Sequence, residues 1–179
     1  MKRDESIDPE SRSAKARGYF RDGYNCCQAV LLAFRDVIGL PEEEIASLSS
    51  GFGGGMGRLR EVCGAVSGMT FMAGVISPAA TPGDAGKKRE NYALVQDFAA
   101  KFSAENGSIV CRELLQLRAG QKESPAPSTR DSQWYTSRPC ERLVGCAARI
   151  VAERLAGGDS VVNSSNGGNG SNGGNGGKD

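Results

Sequence analysis

The chain has 179 residues, 39% hydrophobic and 24% charged, a composition that suits one folded domain with a sizeable core. Its net charge of +1 gives no basis for nucleic acid or a membrane surface as partner. Histidine is absent, which removes the commonest general base, the commonest metal ligand and the usual axial ligand of haem.

In chain order, the N-terminal MKRDESIDPESRSAKAR is charged throughout and lacks the apolar h-region of a secretory signal. The longest apolar runs, CCQAVLLAF and AVSGMTFMAGVI, are too short to span a bilayer, and a cytoplasmic location is expected. Residues 10–23 predict a short amphipathic helix carrying Ala16, Tyr19 and Phe20 and stopping at Gly23. Asn25 is placed to cap a helix through CCQAVLLAFRDVI, where Val30, Leu31, Phe34, Val37 and Ile38 recur at helical spacing. Gly39 ends it. LPEEEIASL has proline in its first turn and acids behind it, as helix starts favour.

The loop GFGGGMG (51–57) holds five glycines in seven residues. It precedes a helix containing Cys63 that ends near Ile76, before the turns at Pro78 and Pro82. Residues 86–105 predict the longest helix, with Tyr92, Val95, Phe98, Ala99 and Phe102 on one stripe. A stop at Gly107 and a cap at Ser108 lead into a short helix through Cys111. Residues 119–137 read as a polar loop, and Pro139 opens the last helix, RPCERLVGCAARIVAERL. No alternating run argues for a strand. The expected fold is all-α: a single compact domain of six or seven helices over residues 1–156 with a glycine-rich loop. The Gly/Asn/Ser-rich tail, 157–179, cannot bury enough apolar surface to offset chain entropy and is expected to be disordered.

Chemistry must then rest on thiols, carboxylates, amines or tyrosines, and the thiols are the distinctive set. Cys26 follows a cap, Cys111 lies three residues after one, Cys140 follows a first-turn proline, and Cys63 stands in the first turn or two after the glycine loop. Unpaired N–H groups and a partial positive charge at a helix start stabilise a thiolate. Cys27 has no assigned role, and Cys146, mid-helix beside Val144 and Ile150, reads as packing. The plain alternative for each cysteine alone is also burial as a small hydrophobe, and there is no C-x-x-C pair. Gly64 and Gly68, four apart on one face, would let helices approach closely or leave room for an inorganic group. The glycine loop could turn N–H groups towards an anion, but no Gly-Lys-Ser/Thr follows it as in a phosphate loop. Tyr24, Arg60, Arg112 and Arg138 lie near the cysteines in sequence. They could tune the site's charge, but arginines at helix starts more commonly cap or solvate a surface, and none is counted with the site.

The blocks GYNCCQAVLLAF, SGFGGGMG, VCGAVSGM, NGSIVCRELL and PCERLV, in that order, resemble the C_GCAxxG_C_C family of redox-active proteins over about residues 16–155. The four cysteines of that family's name map onto Cys26, Cys63, Cys111 and Cys140. One element differs in order, Cys-Gly-Ala here against Gly-Cys-Ala in the name. The resemblance implies a redox or electron-transfer role. A more distant likeness to the split-Soret cytochrome c domain does not extend to haem, because the chain has no C-x-x-C-H.

Three functions follow. In the first, Cys26, Cys63, Cys111 and Cys140 ligate an iron–sulfur cluster, most simply [2Fe–2S], and exchange electrons with a redox partner protein. In the second, two of them interconvert between dithiol and disulfide with no cofactor. In the third, the four hold a structural zinc ion, or the chain is a helical interaction domain without turnover. A homodimer through the small-residue helix is compatible with each. A hydrolase or transferase is disfavoured, since neither a Ser–Lys nor a paired-carboxylate constellation stands out.

Overall fold

Asp8 starts the first helix by accepting the Ser11 N–H at 2.6 Å, and Pro9 stands where its missing N–H costs nothing. The computed structural model describes residues 7–118, 120 and 123–157, which form nine regular helices and no strand. Apart from Gly157, the tail expected to be disordered lies outside the described residues. The helices are α1 (Pro9–Arg21), α2 (Cys26–Leu32), α3 (Arg35–Ile38), α4 (Glu42–Ser49), α5 (Gly64–Ile76), α6 (Ala85–Asn106), α7 (Cys111–Leu114), α8 (Ser132–Thr136) and α9 (Cys140–Gly157). A short 3₁₀ turn, Ser50–Phe52, follows α4.

The all-α expectation holds, with two departures. The single helix expected over 26–38 is broken at Phe34, whose φ of −119° and ψ of 21° are not helical. Arg12 of α1 explains the break: its guanidinium donates to the Ala33 carbonyl at 2.6 Å and pairs with Asp36 at 2.6 Å. The same group lies 5.2 Å from the centre of the fully buried Phe34 ring. The second departure is α8, inside the expected polar loop. Asp131 caps it through the Trp134 N–H at 2.7 Å, and Trp134 and Tyr135 both pack on Phe20 with centroids 5.9 Å away.

The core lies where α2 and α5 cross and where α1 runs along α9, the most extensive helix pairing. Val30, Leu32, Phe34, Met69, Met72, Val144, Ile150 and Val151 are almost wholly buried there. On α6, which packs against α5, the buried line is Leu94, Phe98 and Phe102. Tyr92, expected on that stripe, is 58% exposed; two residues before Leu94, it points about 200° around the helix.

The α2–α5 crossing depends on small residues. Asn25 and Gln28 form a capping box at the start of α2, and Gln28 also donates to the Ala46 carbonyl at 2.9 Å, tying α4 to it. A Cβ on Gly68 would sit 2.8 Å from the Val30 Cβ, and one on Gly64 would sit 2.8 Å from the Phe52 carbonyl oxygen. Helix propensity would reward Gly68→Ala by about 1 kcal/mol, but overpacking costs roughly 1–3 kcal/mol. Gly68→Ala is therefore expected to lose about 1 kcal/mol by urea denaturation, and Gly68→Val more. An unchanged or higher midpoint would refute the close crossing.

Candidate functional site

The chain brings residues 61–63 alongside 109–111 in a two-residue antiparallel clasp. Cys63 N–H donates to the Ile109 carbonyl at 2.8 Å and Cys111 N–H to the Glu61 carbonyl at 2.6 Å, around the bridge Val62–Val110. Successive side chains alternate across such a ribbon. Val62 therefore faces out, 37% exposed, while Cys63 and Cys111 turn inwards with 4% and 6% exposure. The clasp also shifts two expected positions. Cys63 stands just before α5, with extended φ of −55° and ψ of 133°, rather than inside the helix. Ser108 turns the chain by accepting the Val110 N–H at 2.9 Å, so α7 begins at Cys111 itself.

Cys26 and Cys140 come from the other side, each the first residue of its helix and half-buried. The Cys26 and Cys140 thiols are near enough for each to govern the other's acidity. Cys26 feels charge on the other three thiols, Cys63 feels Cys111 and Cys140, and Cys111 feels Cys140. Gly64 lies against this group, since a Cβ there would meet the Cys26 Cβ at 3.0 Å, whereas Gly68 lies farther along α5 against Val30. Cys27 is buried in the core beneath the site, and its thiol feels Cys63. Cys146 is apart, on α9: it accepts from the Asn106 amide at 3.3 Å and approaches the Glu105 carboxylate at 3.4 Å, so it packs among polar groups as well as apolar ones.

The glycine loop packs against Cys111. Gly54, Gly55 and Gly57 take left-handed φ of 66°, 68° and 56°, and Met56, Arg58 and Arg60 do so without being glycine, which costs about 1–2 kcal/mol each. Backbone bonds from Gly57 to Gly51, Arg60 to Gly54 and Glu61 to Gly55 hold the winding in place. Glycine is required at 55, because a Cβ there would lie 2.7 Å from the Cys111 Cβ. The winding turns the Arg60 side chain inwards, 4% exposed. Its Nη1 is 3.9 Å from the Cys111 sulfur and its Nη2 donates to Glu123 at 2.7 Å.

The four thiols differ in acidity. Proximity to Cys140, followed by burial and the neighbouring thiols, pushes Cys26 well up. Burial pushes Cys63 up to about 12 and raises Cys111 against the pull of Arg60. Cys140 is brought down to about 7, chiefly by the Cys26 S–H and then by Arg138, Arg60 and Arg130, with burial opposing. Near pH 7 the Cys26–Cys140 pair is thus about half ionised, while Cys63 and Cys111 stay neutral thiols.

An all-sulfur donor set suits soft metal centres, and glycine backbone lies against Cys26 and Cys111 where a side chain would intrude. Among the described residues, no three His, Cys, Asp or Glu side chains lie close enough to enclose a single metal ion. Sequence reasoning missed two contributors, the inward turn of Arg60 and its clamp Glu123. Nothing in the pattern around Glu123, in a polar segment, marks it.

Fold and site together define a small all-helical protein with four thiols gathered at helix starts. Residues 24–154 match the family described as "Putative redox-active protein (C_GCAxxG_C_C)", and the chain belongs to that family. No curated protein matches the chain, and no solved structure does. Among the described residues, no helix is long and apolar enough to cross a membrane.

The acidity order predicts reactivity. Cys140 has its folded pKa lowered, so its thiolate forms as pH rises through about 7. In reduced, metal-free protein, iodoacetamide should label Cys140 with a half-maximal rate near pH 7, while Cys27 and Cys63, both at about 12, stay unlabelled. Peptide mass spectrometry reads this directly. A half-maximum at the pH of an ordinary thiol would show that the surrounding cations and the Cys26 S–H do not act on Cys140.

Proposed function

We propose that the protein transfers electrons through an iron–sulfur cluster held by Cys26, Cys63, Cys111 and Cys140, with [2Fe–2S] the simplest core for four thiolates. The observation that carries this reading is the convergence of four cysteines from four helix starts, with Cys63 and Cys111 turned inwards by the clasp and Cys26 and Cys111 closely approached by glycine backbone. Burial and mutual repulsion oppose four thiolates side by side. A cationic core would make all four thiolates stable, and the positive helix starts at Cys26 and Cys140 would add to it. When bound, the cluster supplies a one-electron couple. The chain's own part is to fix the sulfurs through the clasp, hold the glycine backbone against them and keep water from Cys63 and Cys111. The partner in this reading is a redox protein, and the reducing cytoplasm, which would keep the six unpaired cysteines reduced, is its compartment.

A second reading is favoured by one feature, the mutual influence of Cys26 and Cys140 on each other's acidity. The Cys140 thiolate would attack a partner's disulfide and release one of its thiolates. Cys26, losing its proton, would then displace the other, leaving a Cys26–Cys140 disulfide and a partner dithiol with two electrons transferred. It ranks second because it gives Cys63 and Cys111 no task.

Anaerobic purification followed by visible spectroscopy with iron and sulfide assays tests the first reading. Broad absorption between roughly 400 and 500 nm with matching iron and sulfide is expected for a cluster. Cys63→Ser should bleach it, and Cys146→Ala should leave it intact. A protein that stays colourless and iron-free after reconstitution would sink the cluster, and thiol counts before and after reduction would then test the disulfide.

A further inference from the structure

A guanidinium is rarely buried unless paired, and the burial of Arg60 has features a structural ion pair does not need. Its backbone is held at φ 63°, its Nη1 faces the Cys111 sulfur, and its buried Nε has no acceptor. Glu123 is shared: it accepts from Arg60 Nη2 and from Arg58 Nη2, each at 2.7 Å. Two guanidiniums on one carboxylate leave one net positive charge beside the thiols. A salt bridge serving only stability would gain nothing from the strained backbone or the unpartnered nitrogen. Both follow if the loop is wound to aim a cation at sulfur.

We propose that Arg60 is the charge-setting residue of the four-cysteine site, a positioning residue whose buried guanidinium, clamped by Glu123, favours the more negatively charged reduced state. The proposal rests on the redox reading above. One electron accepted from a one-electron donor adds one negative charge to the site. A cation already fixed against Cys111 stabilises that charge without reorganising. The same guanidinium also acts on Cys140. Arg138 acts on both thiols as well, but from the Trp134 ring face at 5.1 Å, more open to water than Arg60 and so more screened.

The experiment is a dithionite titration with redox mediators, followed by visible absorption, on wild type, Arg60→Gln, Arg60→Lys and Glu123→Gln. At the wild-type midpoint, Arg60→Gln should cut the reduced-to-oxidised ratio about tenfold, equivalent to about 59 mV for one electron. Arg60→Lys should restore most of that ratio, and Glu123→Gln should raise it above wild type. A purely structural role would lower iron content or stability in both the Gln variants without moving their ratios in opposite directions. The proposal is overturned if folded, iron-loaded Arg60→Gln keeps the wild-type ratio, or if Glu123→Gln moves it the same way as Arg60→Gln. Where Arg60→Gln does not fold, Glu123→Gln decides, and an unchanged or lowered ratio refutes the proposal.

A colourless wild type would fail the cluster reading separately. The same variants are then equilibrated with glutathione, two glutathione thiols giving two electrons to the Cys26–Cys140 disulfide and leaving as glutathione disulfide. Arg60→Gln as the least reduced and Glu123→Gln as the most reduced supports the proposal, and any other order overturns it.

Discussion

Two backbone hydrogen bonds, Cys63 to Ile109 and Cys111 to Glu61, hold the rest of the site in register. They fasten the end of the glycine loop to the turn before α7, and the alternation of an extended chain then sends two sulfurs to one face. The start of α5 follows directly, because its chain leaves the clasp at Cys63. The winding of residues 54–60 follows too, since the loop must return within a few residues from the α4 side to the clasp. From other elements, α2 and α9 bring Cys26 and Cys140 to the same site.

Much of this was legible in the sequence, and for identifiable reasons. Asn25 reads as a cap because a side-chain acceptor before CCQ can serve the orphan N–H groups, and the capping box forms. Gly39 and Gly107 read as stops, and both are left-handed, at φ 78° and 88°. The four helix-start cysteines and the family pattern drew attention to one set of residues. The failures came from tertiary partners that a local pattern does not contain. Arg12 breaks a helix from α1, twenty-odd residues away; Phe20 recruits Trp134 and Tyr135 into a short helix within a polar stretch. Cys63 was placed inside α5 because an isolated bridge has no periodicity to read.

Arg60 shows the same limit in electrostatic terms. In the one-dimensional pattern, GMGRLRE looks like a charged surface turn, with Arg58 and Arg60 equivalent. The left-handed winding separates them: Arg60 goes under the loop, 4% exposed, while Arg58 remains nearer the surface on Glu123 and Ser128. Residue type, spacing and charge were all visible, but the sign of the turn was not. It is the backbone conformation at Gly54, Gly55 and Met56 that decides which cation meets sulfur.

The four sulfurs are contributed from near both ends of the helical domain, whose first and last helices, α1 and α9, pack side by side. Cys26 and Cys140 can meet only after almost the whole chain has closed on itself, the slowest kind of contact to form. No fragment ending before α9 contains the complete donor set. Assembly of the site is therefore a report on folding itself: during synthesis the pocket stays incomplete until the last helix docks, so a group that needs all four sulfurs cannot be captured by a half-made chain.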